Sequence, residues 1–198
     1  MNYLAHARLS FDQPLVLVGN MISDFIKGKK QFDYLQGIQI GIQLHRAIDE
    51  FTDSHDVTQQ LKSFFRPQYR LYSGAFGDIV YDHFLALDKA EFATSETLKE
   101  FAASTYNTLE ANLQLAPSYF QQIFPYMKEH DWLYNYQHTW AIERSFKGLV
   151  HRATYLKESA IAYDIFLNNY DAMGDCYKEF YPLLKNFAAH HLQQLLNK

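Results

Sequence analysis

Apolar residues in this chain recur at the spacing of a helix and almost nowhere alternate as a half-buried strand does. Between residues 32 and 51, Leu35, Ile38, Ile42, Ile48 and Phe51 trace a broad apolar face, with Gly37 and Gly41 one turn apart on the same segment. An interior glycine costs a helix about 1 kcal/mol relative to alanine. The pair is therefore read as leaving room for another helix to come close. Pro14 is placed to open a helix over residues 14–27, with Gly28 and two lysines as its stop. Asp53-Ser54 is expected to cap a helix that ends near Phe65 and is closed by Pro67. Further helices are predicted over residues 73–87 and 95–115, from Pro117, and from Trp140 onward with breaks near Asn168 and Gly174. The fold class that follows is all-α: a single domain over residues 1–198, built as an irregular helical bundle.

Composition removes several function classes. A net charge of -4 gives no general attraction to nucleic acid or to an anionic membrane. The apolar run from Pro14 to Gly19 is too short for a membrane span and lacks the flanks of a signal peptide, so a cytoplasmic protein is expected. Cys176 is the only cysteine, which excludes an internal disulfide or a cysteine-based zinc site and fits a reducing compartment. No glycine-rich phosphate loop, G-x-S-x-G, H-E-x-x-H or C-x-x-C is present. The aromatic share of 17% reads mostly as core, although Tyr134, Tyr136 and Trp140 leave room for a ligand pocket.

Histidine and aspartate carry the chemical signal. On a helix His45, Asp49 and Asp53 stand at successive i, i+4 positions and share a face. They are either a solvated stripe or part of a metal site of the kind helical bundles assemble from facing helices. Asp78 and Asp82 repeat the spacing, with His83 beside them among apolar neighbours; taken alone, His83 is a satisfied core histidine. Asp24, flanked by Ile22, Phe25 and Ile26, and His6 on the first helix each require a partner. Nitrogen and oxygen donors without sulfur suit Mn, Mg, Fe or Zn. A divalent ion among such donors points to hydrolysis of a phosphate ester.

Four motifs occur in order: Asn2-Tyr3-Leu4-Ala5-His6; Gly19-Asn20 followed by Asp24-Phe25; His45-Arg46-x-Ile48-Asp49-x-Phe51-Thr52-Asp53-x-His55; and Asp82-His83-Phe84-Leu85. Together they resemble the acyl carrier protein phosphodiesterase family, a distant relative of the HD-domain metal phosphohydrolases. The resemblance implies an HD-domain-like helical fold and removal of 4'-phosphopantetheine from holo acyl carrier protein. It also implies dependence on a divalent metal, typically manganese, with magnesium or iron as alternatives. It makes Asp24, His45, Asp49 and Asp82 the expected metal ligands, and His6, His83, Asp53 and His55 the acid/base or supporting groups. Arg46 is expected either to contact phosphate or to pair with Glu50. An acidic carrier needs a basic docking surface. Lys27, Lys29 and Lys30 offer one, and Lys62, Arg66 and Arg70 another, unless these charges only complement helix dipoles. The order Asp82-His83 departs from the His-Asp doublet of the wider HD group.

Overall fold

The computed structural model describes residues 1–197, which are helical with no strand. In chain order the helices are α1 (Tyr3–Arg8), α2 (Pro14–Ile22), α3 (Gln36–Ser54), α4 (Asp56–Tyr69), α5 (Ser73–Leu87) and α6 (Ser95–Ala111). They continue with α7 (Ser118–Glu129), α8 (Trp132–Asn135), α9 (Thr139–Arg152), α10 (Ala160–Asn168) and α11 (Tyr170–Leu196). One hydrophobic core runs through them, and much of its volume is aromatic: Phe65 stacks on Phe76 at 5.4 Å, and Phe146 meets Phe76 edge-on at 5.0 Å.

The closest helix pair is α2 on α3, and glycine makes it so. A Cβ on Gly19 would stand 2.1 Å from the Ile38 carbonyl oxygen, and one on Gly41 would stand 2.1 Å from that of Val16. The close approach expected at Gly41 is present, and Gly19 is its counterpart. Backbones this near bring side chains at the end of α2 directly against those of α3, which is where His45 sits.

Several boundaries differ from the sequence expectation. Helix α2 stops at Ile22, and a 3-10 turn over Ser23–Phe25 follows. Asp24 is thus exposed on a turn rather than held in mid-helix. Helix α3 runs through Asp53-Ser54, and the cap of α4 is His55, whose Nδ1 accepts the Val57 N–H at 3.3 Å. Pro67 lies inside the last turn of α4. It is tolerated there because both Pro67 and Ser63, whose carbonyl loses its partner, are exposed to water. The break near Asn168 is real, with Asn169 Nδ2 donating to the Ile165 carbonyl. Helix α11, however, runs straight through Gly174, which packs against the Phe84 ring. No described helix is long and apolar enough to cross a membrane.

Candidate metal centre

Helix α1 has six residues, too few to hold itself together in water. Asp82, fully buried on α5, anchors it: the carboxylate accepts the backbone N–H groups of Asn2 (3.2 Å), Leu4 (2.7 Å) and Ala5 (3.3 Å). Burial pushes the Asp82 pKa up to about 7, against the pull of the nearby ammonium and of these three donors. This carboxylate therefore fixes α1, and with it His6, on the face of α2 and α3.

His6 and His45 lie ring on ring, with centroids 3.9 Å apart and planes 17° from parallel, and both are buried. One residue, the fully buried Asn20, orients both. Its backbone carbonyl receives His45 Nδ1–H at 2.8 Å. Its side-chain Nδ2 donates to the His6 carbonyl and to Ser10 Oγ, which turns Oδ1 toward His6 Nδ1 at 2.8 Å. With both Nδ1 atoms donating, both Nε2 atoms face the same side. Asp49 waits there, 3.2 Å from His6 Nε2 and 3.1 Å from His45 Nε2. Asp24 Oδ1 reaches His45 Nε2 at 3.1 Å from the 3-10 turn.

The donor atoms of His6, His45 and Asp49 all lie within 4.8 Å of one another. His6 Nε2 is buried and has no hydrogen-bond partner: with the proton on Nδ1, it faces the Asp49 carboxylate at 3.2 Å as acceptor against acceptor. Burial, followed by the charge of the stacked His45, holds the His6 pKa below its ordinary value. Burial also opposes a charge on His45, but hydrogen bonds to Asp24 and Asp49 outweigh it and raise its pKa to about 9. Asp49, despite burial, is held well below the usual carboxylate range by its two histidines. The Met1 ammonium adds a further positive charge 3.7 Å from Asp49 while donating to Asp78 at 2.9 Å. A cation that displaces the His45 Nε2 proton would meet two imidazole nitrogens and a carboxylate aimed at one point, a donor set of the kind metals use. Histidines whose other ring nitrogen donates to a protein oxygen are the usual supports of a bound metal. The residues fit a metal ion.

Of the expected ligands, His45, Asp49 and Asp24 come together, while both Asp82 oxygens serve α1. His6, expected as an acid/base group, stands among the donors instead. His83 lies elsewhere: its Nδ1–H donates to the Tyr136 carbonyl at 2.7 Å, and its Nε2 accepts the Tyr170 hydroxyl at 2.8 Å. Burial lowers its pKa to about 4, so it is a neutral core histidine. His55 caps α4, and Asp53 pairs with Lys62 at 2.6 Å. Arg46 makes no ion pair with Glu50 among the described residues. It donates to the Ile26 carbonyl (3.1 Å) and to Gln31 Oε1 (2.8 Å), tying the segment that carries Lys27, Lys29 and Lys30 to α3. Asn20 is the site residue that sequence reasoning missed. Its signal was a polar amide among the apolar residues of α2.

Over residues 1–184 the chain matches the family described as acyl carrier protein phosphodiesterase. Curated relatives of that name include one from Yersinia pestis, 29% identical over 96% of this chain and 98% of its own. Another, from Klebsiella pneumoniae, is 30% identical over 95% of this chain and 97% of its own. A third, from Photorhabdus laumondii, is 28% identical over 95% of each. No solved structure matches the chain.

Proposed function

The chain belongs to the acyl carrier protein phosphodiesterase family, a family of phosphodiester hydrolases, and we propose that it removes 4'-phosphopantetheine from holo acyl carrier protein in a metal-dependent reaction. The observation that carries this reading is the convergence of His6 Nε2, His45 Nε2 and Asp49 on one point, with the buried His6 nitrogen left without a partner.

His6, His45 and Asp49 would hold the ion, and Asp24, on the solvent side, would complete the donor set. A divalent cation bound there supplies Lewis acidity, acidifying water and offsetting charge on the phosphoryl oxygens; manganese is the ion of choice, with magnesium or iron as alternatives. Asn20 keeps both imidazoles in the tautomer that presents Nε2. In the overall reaction the oxygen of water bonds to phosphorus and the bond from phosphorus to the carrier's serine oxygen breaks. The proton released passes to that serine, so apo carrier and free 4'-phosphopantetheine result. Asp24, held as a carboxylate below its ordinary pKa first by its hydrogen bond to His45, is the exposed carboxylate beside these donors.

The turn after Asp24 presents Lys27, Lys29 and Lys30, all exposed and none in an ion pair among the described residues. On a chain of net charge -4 they form a local positive surface beside the site, suited to an acidic carrier. A lone buried cysteine fits work in the reducing cytoplasm.

Mass spectrometry of holo carrier incubated with chelated and manganese-restored protein tests the reaction. Loss of the phosphopantetheine mass only in the restored sample is expected. Retention of that mass by carrier incubated with metal-loaded protein would reject the substrate.

A further inference from the structure

Asn2 and Tyr3, at the head of the helix that carries His6, form one wall of a cleft of about 420 Å³. That volume lies in the range of small-ligand sites, roughly 300–1,000 Å³. Helices α7, α8 and α9 supply the other walls, with Tyr119, Tyr126, Trp132, Trp140, Arg144 and Arg152 among their residues. The site chemistry described above uses none of these.

Gly148 is the telling residue. It lines the cleft from the middle of α9, where glycine weakens a helix by about 1 kcal/mol relative to alanine. Gly19 and Gly41 are required by backbone contact, but a Cβ on Gly148 would meet nothing within 4 Å. What the missing side chain provides is an open wall. Around that opening Tyr119, Tyr126 and Trp140 are 49%, 60% and 46% exposed, and large aromatics gathered at a concave surface mark a binding site. Arg144 lies over the Trp140 ring at 5.8 Å, and neither it nor Arg152 pairs with a carboxylate among the described residues.

The cleft borders the elements that carry the His/Asp cluster, although none of His6, Asp24, His45 or Asp49 lines it. Tyr3 packs on Trp132 at 6.1 Å, and Phe25, next to Asp24, packs on Tyr119 at 5.4 Å. The Tyr3 hydroxyl, raised to about 12 by burial, lies in the field of both Arg152 and Asp24. A diester whose phosphorus sits at the metal centre would therefore have a neighbouring aromatic cleft for its organic side, with Arg144 and Arg152 along it.

We propose that this cleft seats the pantetheine arm of the substrate, its amides and methyl groups against the aromatic walls and Arg152 toward the phosphate end. The assignment rests on the phosphodiesterase reading. It predicts that the free product 4'-phosphopantetheine binds the manganese-loaded protein, measured by titration calorimetry. Gly148→Phe fills the cleft from a position with no neighbours, so it should fold with an undiminished Tm. Its affinity for the product should fall at least tenfold, and its KM for holo carrier should rise by a similar factor. Arg152→Gln, a change at an exposed residue, should raise the same KM severalfold. Wild-type affinity and KM in folded Gly148→Phe would overturn the cleft assignment while leaving the hydrolase reading intact. Failure of the metal-loaded wild type to convert holo carrier would instead remove the hydrolase reading, and the cleft assignment with it.

Discussion

Asn20 holds two imidazoles at once, His45 through its carbonyl and His6 through its amide oxygen, and the proposed metal centre depends on that double grip. Removing a hydrogen-bond support of a metal ligand costs about 10–100-fold in metal affinity. Asn20→Ala should lose affinity on that scale, read by competition with a chelator. The His45–Asp24 contact should survive in it, because the main-chain carbonyl remains. His45→Ala and Asp49→Ala remove donors outright and should abolish stoichiometric manganese uptake in elemental analysis; uptake at wild-type level in either would place the ion elsewhere. The pairing of His45 with Asp49 was legible in the sequence, because i, i+4 spacing on one helix determines which side chains meet. The arrival of His6 from another helix was not, nor was the loss of Asp82, His83, Asp53 and His55 to other tasks. Those residues have the composition of a site, but local partners claim them: three backbone N–H groups, a carbonyl and a tyrosine, a lysine, and a helix terminus.

At the scale of the element, α1 stands or falls with the Asp82 carboxylate on α5. Asp82→Ala leaves three N–H groups without this acceptor, two of them buried, and each buried loss costs about 1–3 kcal/mol. Chemical denaturation should show a loss of at least that size, with Asp82→Asn milder because one oxygen remains. Metal affinity should fall in parallel as His6 loosens. Helix α5 also carries a pH dependence through His83, which faces the Tyr136 carbonyl, the Tyr170 hydroxyl and, more distantly, His138. Its folded pKa of about 4 lies below the ordinary 6.5, so as pH falls the unfolded chain takes the proton first. Stability should therefore decline between pH 6.5 and 4, by on the order of 3 kcal/mol from this group. His83→Gln, which can keep both hydrogen bonds, should flatten that slope in metal-free protein; an unchanged slope would mean that His83 is charged in the fold. Helix existence was legible from apolar periodicity. Helix ends were not: α3 overran its expected cap at Asp53-Ser54, with His55 in extended backbone capping α4 instead, and α2 stopped short where the chain turns outward at Asp24.

For the whole molecule, the all-α class followed from periodicity alone, and the glycines of α2 and α3 explain why the site forms where it does. Gly41→Ala would drive a methyl into the Val16 carbonyl and separate these helices. A destabilisation of about 1–3 kcal/mol or more is expected in thermal or denaturant unfolding. Of the residues at which the sequence left room for a ligand pocket, Tyr136 and Trp140 do line the cleft between α1 and the later helices; its other walls come from residues far apart in the chain whose aromatic character reads equally well as core. Carrier recognition, by contrast, is a property of the surface field. Replacing Lys27, Lys29 and Lys30 with glutamine should raise KM for holo carrier and blunt its dependence on ionic strength, leaving kcat near its original value.

The claim that His6, His45 and Asp49 form a metal centre is tested most directly by anomalous diffraction from crystals grown with manganese. A single anomalous peak within bonding distance of His6 Nε2, His45 Nε2 and an Asp49 oxygen is the predicted result. A manganese-loaded, catalytically competent crystal with its anomalous peak elsewhere, or with none between these three residues, would contradict it.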